Sequence, residues 1–179
     1  MTYFLIGLGG ALGATLRFYF SNYFSQFVLF SIPLGTFLVN LLGCFLIGYF
    51  ISNQEEEFTL WSNTLKLIDN SRYSEAAENL RFLILSYPKG AYLVDSYFWL
   101  AEIYFLQEMN EDAYETYLSL INNFPDHERV PVSLYKLGLI SIKLEKNEEA
   151  IAFFERVILN YPESGSSILS EQELLKFKS

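Results

Sequence analysis

The sequence has one cysteine, Cys44, and one histidine, His127, in 179 residues. A single cysteine excludes an intramolecular disulfide and leaves the redox compartment open. The histidine sits in the turn-like stretch Phe124-Pro125-Asp126-His127-Glu128. It has no partner set for zinc, and a nucleophile–base pair built on it would have to lie in a surface turn. No catalytic residue, metal ligand or cofactor site follows from the sequence. Charge is also missing from a whole region: residues 1–53 contain Arg17 and no other Lys, Arg, Asp or Glu. Residues 54–179 hold the remaining 11 basic and all 21 acidic residues, a net charge of −10. With no basic surplus there, a nucleic-acid partner is excluded, because a phosphate backbone needs clustered Lys and Arg.

This charge-poor region contains two apolar stretches, Thr2–Phe20 and Pro33–Ile51. Each is about as long as the ~20 residues a spanning helix needs. Ser21-Asn22-Tyr23-Phe24-Ser25-Gln26 lies between them, and Tyr19, Tyr23 and Phe24 suit a membrane interface. The expectation is a two-helix transmembrane hairpin over residues 1–53, with both ends on one side. A signal peptide would want a basic start and one apolar core, whereas Met1–Gly7 has no base and the apolar region comes twice. Leu41-Leu42-Gly43-Cys44 lies too late for a lipoprotein box and is followed by more apolar sequence. Gly7-Leu8-Gly9-Gly10-Ala11-Leu12-Gly13 places its last glycine one position late for a dinucleotide fingerprint, and no acid follows before Glu55. Gly9-x-x-x-Gly13 reads instead as a close helix approach, and hence as a face for self-association.

Gly9-Gly10-Ala11-Leu12-Gly13-Ala14-Thr15-Leu16-Arg17-Phe18, followed by Pro33-Leu34-Gly35-Thr36-Phe37-Leu38-Val39-Asn40-Leu41-Leu42-Gly43, resembles the first two helices of the CrcB/Fluc fluoride channels. The resemblance implies that Asn40 corresponds to a pore-lining asparagine and Arg17 to the arginine that ends the first helix's motif. It also implies matches at Gly9, Gly10, Gly13, Gly35, Thr36 and Gly43. In that family two more helices follow, the third broken by a motif that supplies a sodium site and pore phenylalanines. Here Ser52-Asn53-Gln54-Glu55-Glu56-Glu57 leads away from apolar sequence. The expectation is therefore that this chain alone does not conduct fluoride.

The charged region repeats. Pro88, Pro125 and Pro162 are spaced 37 residues apart, and Ala76, Ala113 and Ala150 keep the same step. Leu100-Ala101 and Leu137-Gly138 share it. A period in this range marks a stacked array in which each unit buries its apolar face against its neighbour. The predicted helices span about 57–69, 73–87, 91–107, 110–123, 128–143, 147–160 and 166–178, the last capping the stack with Leu169, Leu174 and Leu175. The pattern resembles the tetratricopeptide repeat family. That resemblance implies that Ala76, Ala101, Ala113, Gly138 and Ala150 lie where paired helices touch, with Leu80, Tyr117 and Phe154 at a large apolar site. The three residues beyond the usual period, with Tyr/Phe-Pro endings, resemble periplasmic cell-envelope repeat proteins of the YbgF/CpoB type.

The expected architecture is all-α. It comprises a transmembrane hairpin (1–53), an acidic junction (54–57) and an α-solenoid of about three helix pairs plus a cap (58–179). The expected function is membrane-anchored protein–protein interaction at a bacterial inner membrane, with lipid and a protein or peptide as partners. Tyr92, Tyr97, Trp99, Tyr104 and Tyr135 are candidate groove aromatics, most of them expected in the inter-helix core. The alternative is a fluoride-channel subunit using Arg17, Asn40 and the glycine faces, with fluoride as its ion. The third reading is a fusion or assembly artefact without joint function.

Overall fold

The structure, a computed structural model, describes residues 14–15, 18–19, 28–29 and 32–178. The chain divides into two compact units, Met1–Glu55 and Glu56–Ser179. Gly9, Gly10, Gly13, Arg17 and the Ser21–Gln26 connection lie outside the described residues.

In the first unit β1 (Val28–Leu29) pairs antiparallel with β2 (Ile32–Pro33), Leu29 opposite Ile32. This two-residue pair is the one sheet among the described residues. Helix α1 (Leu34–Asp69) follows. The expected break at residues 52–57 is absent, because α1 runs through it and no separate helix starts near residue 57. The physical reason is local. Gln54, Glu55, Glu56 and Glu57 are straight-chain helix formers, and no Gly or Pro interrupts the stretch. Charge there marks a change of surroundings without ending the helix. Among the described residues no helix is both long and apolar enough to cross a membrane. The apolar part of α1 is its first half, and there Leu41, Leu42, Phe45, Leu46, Ile47 and Tyr49 are all exposed. A Cβ built on Gly43 or Gly48 would meet nothing within 4 Å.

The second unit is a helical stack. It comprises the end of α1, then α2 (Tyr73–Ser86), α3 (Leu93–Leu106), α4 (Asn110–Asn123), α5 (Val130–Lys143), α6 (Asn147–Asn160) and α7 (Gly165–Lys178). The 37-residue period is visible in the backbone. Ser71, Glu108 and Glu145 are its positive-φ residues, at 57°, 60° and 61°. In each turn the next amide reaches back into the preceding helix: Arg72 to the Leu67 carbonyl, Met109 to Tyr104, and Lys146 to Ser141, at 2.8–2.9 Å. This is the left-handed helix stop that glycine usually makes, here built three times without glycine. Pro88, Pro125 and Pro162 follow Tyr87, Phe124 and Tyr161, whose ψ values of 62°, 60° and 53° have left the helical region. A residue before proline is pushed out of that region by the ring.

Packing follows the repeat. Ala76, Ala101, Ala113, Ala150, Leu80, Tyr117 and Phe154 are fully buried. Gly138 is buried so tightly that a Cβ there would lie 2.4 Å from Phe154 Cε1. Thr64, also fully buried, keeps the 37-residue step with Ala101 and Gly138, although its residue type does not mark it as a contact. Its hydroxyl donates to the Leu60 carbonyl at 2.7 Å, which lets a polar residue occupy a helix contact. A buried serine recurs too. Ser96, Ser133 and Ser170 are fully buried, and each hydroxyl donates to the carbonyl four residues back, at 2.7–2.8 Å.

The last serine corrects one expectation. Helix α7 keeps the register of α3 and α5, so it stands as a further first-of-pair helix. It buries Ser167 and Ser170 while Ile168, Leu169 and Leu175 face outward, Leu175 being 65% exposed. Leu175 falls 37 residues after Gly138, where a second-of-pair helix would pack. The helix nevertheless packs on α5 and α6 and ends the stack, with Leu174 half-buried and Leu169 and Leu175 left outward.

Candidate partner-binding surface of the repeat stack

The five candidate aromatics are all half-buried. Tyr92 stacks on Trp61 at 5.2 Å, with 11° between ring planes. Tyr97 packs against Phe124 at 6.1 Å. Trp99 and Tyr104 touch both hydrophobic clusters of the stack. Tyr135 lies 5.9 Å from Phe154. Each ring is thus partly packed against the stack and partly open to solvent. Burial, aided by the charge of Glu173, raises the Tyr135 hydroxyl above its ordinary range, while Lys176 opposes the shift.

Charged groups bind neighbouring repeats together. The Glu57 carboxylate is 6% exposed and accepts the Tyr92 amide at 3.0 Å, at the N-terminus of α3, where a helix favours negative charge. One repeat later Arg129 reaches Asp95 at 2.8 Å and lies over the Phe98 ring at 4.5 Å. Lys136 pairs with Glu102 at 2.8 Å and lies near Phe105. Glu102 also accepts the Tyr117 hydroxyl. Burial first, then the Glu102 charge and hydrogen bond, push that hydroxyl far above the usual tyrosine range. The same causes, with Glu149 as partner at 2.8 Å, push Tyr114 up to about 12. Arg129 and Lys136 are therefore engaged within the stack.

One cleft of about 300 Å³ opens where α2, α3 and α4 meet. It is lined by Ile84, Leu85, Tyr97 and Leu100 together with Arg81, Glu115, Thr116 and Ser119. Tyr97 is the candidate aromatic that lines it. Leu85 is 79% exposed. Among the described residues no group of His, Cys, Asp and Glu is placed to hold a metal. The His127 ring accepts the Arg129 amide at 3.2 Å and stays within its turn. Asn40 is exposed on α1, and Gly35, Thr36 and Gly43 lie on the same helix.

Similarity to known proteins divides along the chain. The model of the family described as CrcB-like protein, Camphor Resistance (CrcB), matches residues 4–98. The chain belongs to this family. The match continues past the apolar region, over the first helix pair of the stack and into α3. A tetratricopeptide repeat model matches residues 95–127 and 132–164, two units set one 37-residue period apart. A Fluoride-specific ion channel FluC of Helicobacter acinonychis (strain Sheeba) is 40% identical over 92 aligned positions, covering 38% of this chain and 72% of that protein. A FluC of Helicobacter pylori (strain J99) is 39% identical over 92 positions, covering 38% and 71%. FluC 2 of Bacillus cereus is 47% identical over 49 positions, covering 27% and 42%. The chain thus joins a CrcB-like region to tetratricopeptide repeats, and neither matched family is an enzyme family.

Proposed function

We propose that the protein is a membrane-anchored tetratricopeptide repeat protein that binds a protein or peptide partner at a bacterial inner membrane. The observation that carries this reading is the contrast within α1. Its residues 41–49 expose an almost unbroken apolar surface, and from Glu57 onward the helix packs into the repeat core. An apolar surface of that extent on a helix calls for lipid or a protein partner around it. The anchor is a two-span hairpin over residues 1–53, with the glycine positions Gly9, Gly13, Gly43 and Gly48 as faces for self-association. The repeats supply the binding surface, through the half-buried rings Tyr92, Tyr97, Trp99, Tyr104 and Tyr135. Expression of the intact chain with a C-terminal tag, followed by protease treatment from each side of the membrane, tests anchoring and sidedness together. The tag is expected to be cut from one side only. Cleavage from both sides of sealed membranes contradicts the reading.

Membership of the CrcB-like family and the FluC relatives favour a second reading, a fluoride-channel subunit acting through Arg17 and Asn40. A pore must replace the ion's hydration on all sides, and the residues after α1's apolar half form a repeat stack. Liposomes holding the purified chain alone are therefore expected to show no fluoride efflux above empty controls. Efflux selective for fluoride over chloride and abolished by Asn40→Ala would replace the first reading with the second.

A further inference from the structure

Successive repeats of this stack share a backbone and differ in what fills the space between their second-of-pair helices. Between α4 and α6, Leu118 and Phe153 pack against the hydrophobic cluster of the stack, and the Phe153 ring stands edge-on to Tyr114 at 6.2 Å. One period earlier, between α2 and α4, the corresponding residues are Arg81 and Thr116. A threonine cannot fill the volume of a phenyl ring, and the 300 Å³ cleft opens at this place. Its walls, Ile84, Leu85, Tyr97 and Leu100, are those of an apolar slot. Arg81 in the lining donates to the Tyr104 hydroxyl at 2.9 Å, and among the described residues it has no carboxylate within ion-pair distance. Its charge thus has no carboxylate partner among the described residues, in a region of net charge −10.

We propose that the cleft is a docking site for a peptide segment that inserts a phenylalanine-type side chain beside an acidic group. The ring takes the place that Phe153 holds one repeat later, and the carboxylate sits on Arg81. Glu115, which also lines the cleft, disfavours a carboxylate placed beside it. The shared repeat geometry specifies the size and shape of the anchor. The unpaired guanidinium specifies the charge next to it, because an arginine offers paired donors to a carboxylate. This inference rests on the reading of the stack as a binding module and names the chemistry of its partner.

The test uses the full chain in detergent and three probes: N-acetyl-L-phenylalanine, its uncharged amide, and N-acetylglycine. Binding is followed by titration of chemical shifts. Saturable binding of the charged phenylalanine probe is expected, with N-acetylglycine at least about tenfold weaker, a difference of ~1.4 kcal/mol. Thr116→Phe, which closes the cleft with the side chain of the next repeat, should abolish binding of both aromatic probes. Arg81→Gln should weaken the charged probe several-fold and leave the amide unchanged. If Thr116→Phe fails to fold by circular dichroism, Ser119→Leu in the lining supplies the same readout. Equal binding by wild type and the filled variants, or no saturable binding to wild type, overturns the proposal. Neither result bears on membrane anchoring, which the protease experiment decides separately.

Discussion

Two helical segments of this chain are about equally apolar and opposite in burial. Helix α3 reads Leu-Val-Asp-Ser-Tyr-Phe-Trp-Leu-Ala-Glu-Ile-Tyr-Phe-Leu and buries Phe98, Leu100, Ala101 and Ile103 between its neighbours. Asn40–Tyr49 in α1 reads Asn-Leu-Leu-Gly-Cys-Phe-Leu-Ile-Gly-Tyr, yet Phe45 is 70% and Ile47 62% exposed. Hydrophobicity alone therefore does not say what covers a helix. In α3 the interspersed Asp95 and Glu102 each meet a base from the next repeat. The apolar part of α1 has no charge to direct one face outward, so its whole circumference suits a single apolar medium.

The sharpest way to break the comparison is to add charge to each segment. Leu42→Lys with Phe45→Lys should move the full chain out of liposome-bound fractions on flotation. A charge at the centre of a spanning helix costs ~2.5–3.5 kcal/mol each on insertion scales. If α1's apolar half is covered by water instead, both lysines will leave flotation unchanged. Next in size is Gly138→Trp. A Cβ at this position would stand 2.4 Å from Phe154 Cε1. Overpacking there should cost ~3 kcal/mol or more in the repeat region, read as an earlier urea midpoint. An unchanged midpoint would mean that α5 and α6 do not touch as described.

Smaller effects probe the polar network. Tyr117→Phe removes the hydroxyl that Glu102 accepts and should cost about 1 kcal/mol. Tyr114 adds a pH dependence. Its folded pKa of about 12 lies above its ordinary value of 10.0. The folded state therefore holds this proton more tightly, and the associated stability is complete below pH 10.0 and lost as pH rises toward about 12. Urea midpoints should fall as pH rises from 10.0 toward about 12, and less steeply in Tyr114→Phe than in wild type. The smallest expected change is a gain. Glu108 and Glu145 adopt positive φ with a side chain in place, so replacing either by glycine should stabilise the stack by about 0.5 kcal/mol.

Much of the stack is legible in the sequence, because period and packing share the same residues. The prolines mark helix ends, and the small residues mark helix contacts. Thr64 and the serine series are not legible in this way. Threonine and serine suggest surface or turn, and only hydroxyl bonds to carbonyls four residues back make them fit a helix contact. The orientation of α7 is hidden for the same reason, since Ser167 and Ser170 face inward while Leu169 and Leu175 do not. The unbroken α1 is hidden because a change in charge at residues 52–57 resembles a boundary, while helix propensity carries through it. The cleft cannot be read from the sequence at all. It depends on which side chains meet between α2 and α4, and on Thr116 standing where Phe153 stands one repeat later.

In the proposed function one chain holds a repeat stack to a membrane through an N-terminal region whose one charged side chain is Arg17. The most direct test is alkaline carbonate extraction of membranes from cells expressing the intact, C-terminally tagged chain. The account predicts that the full-length protein stays in the membrane pellet. Release of the full-length protein into the supernatant would contradict it.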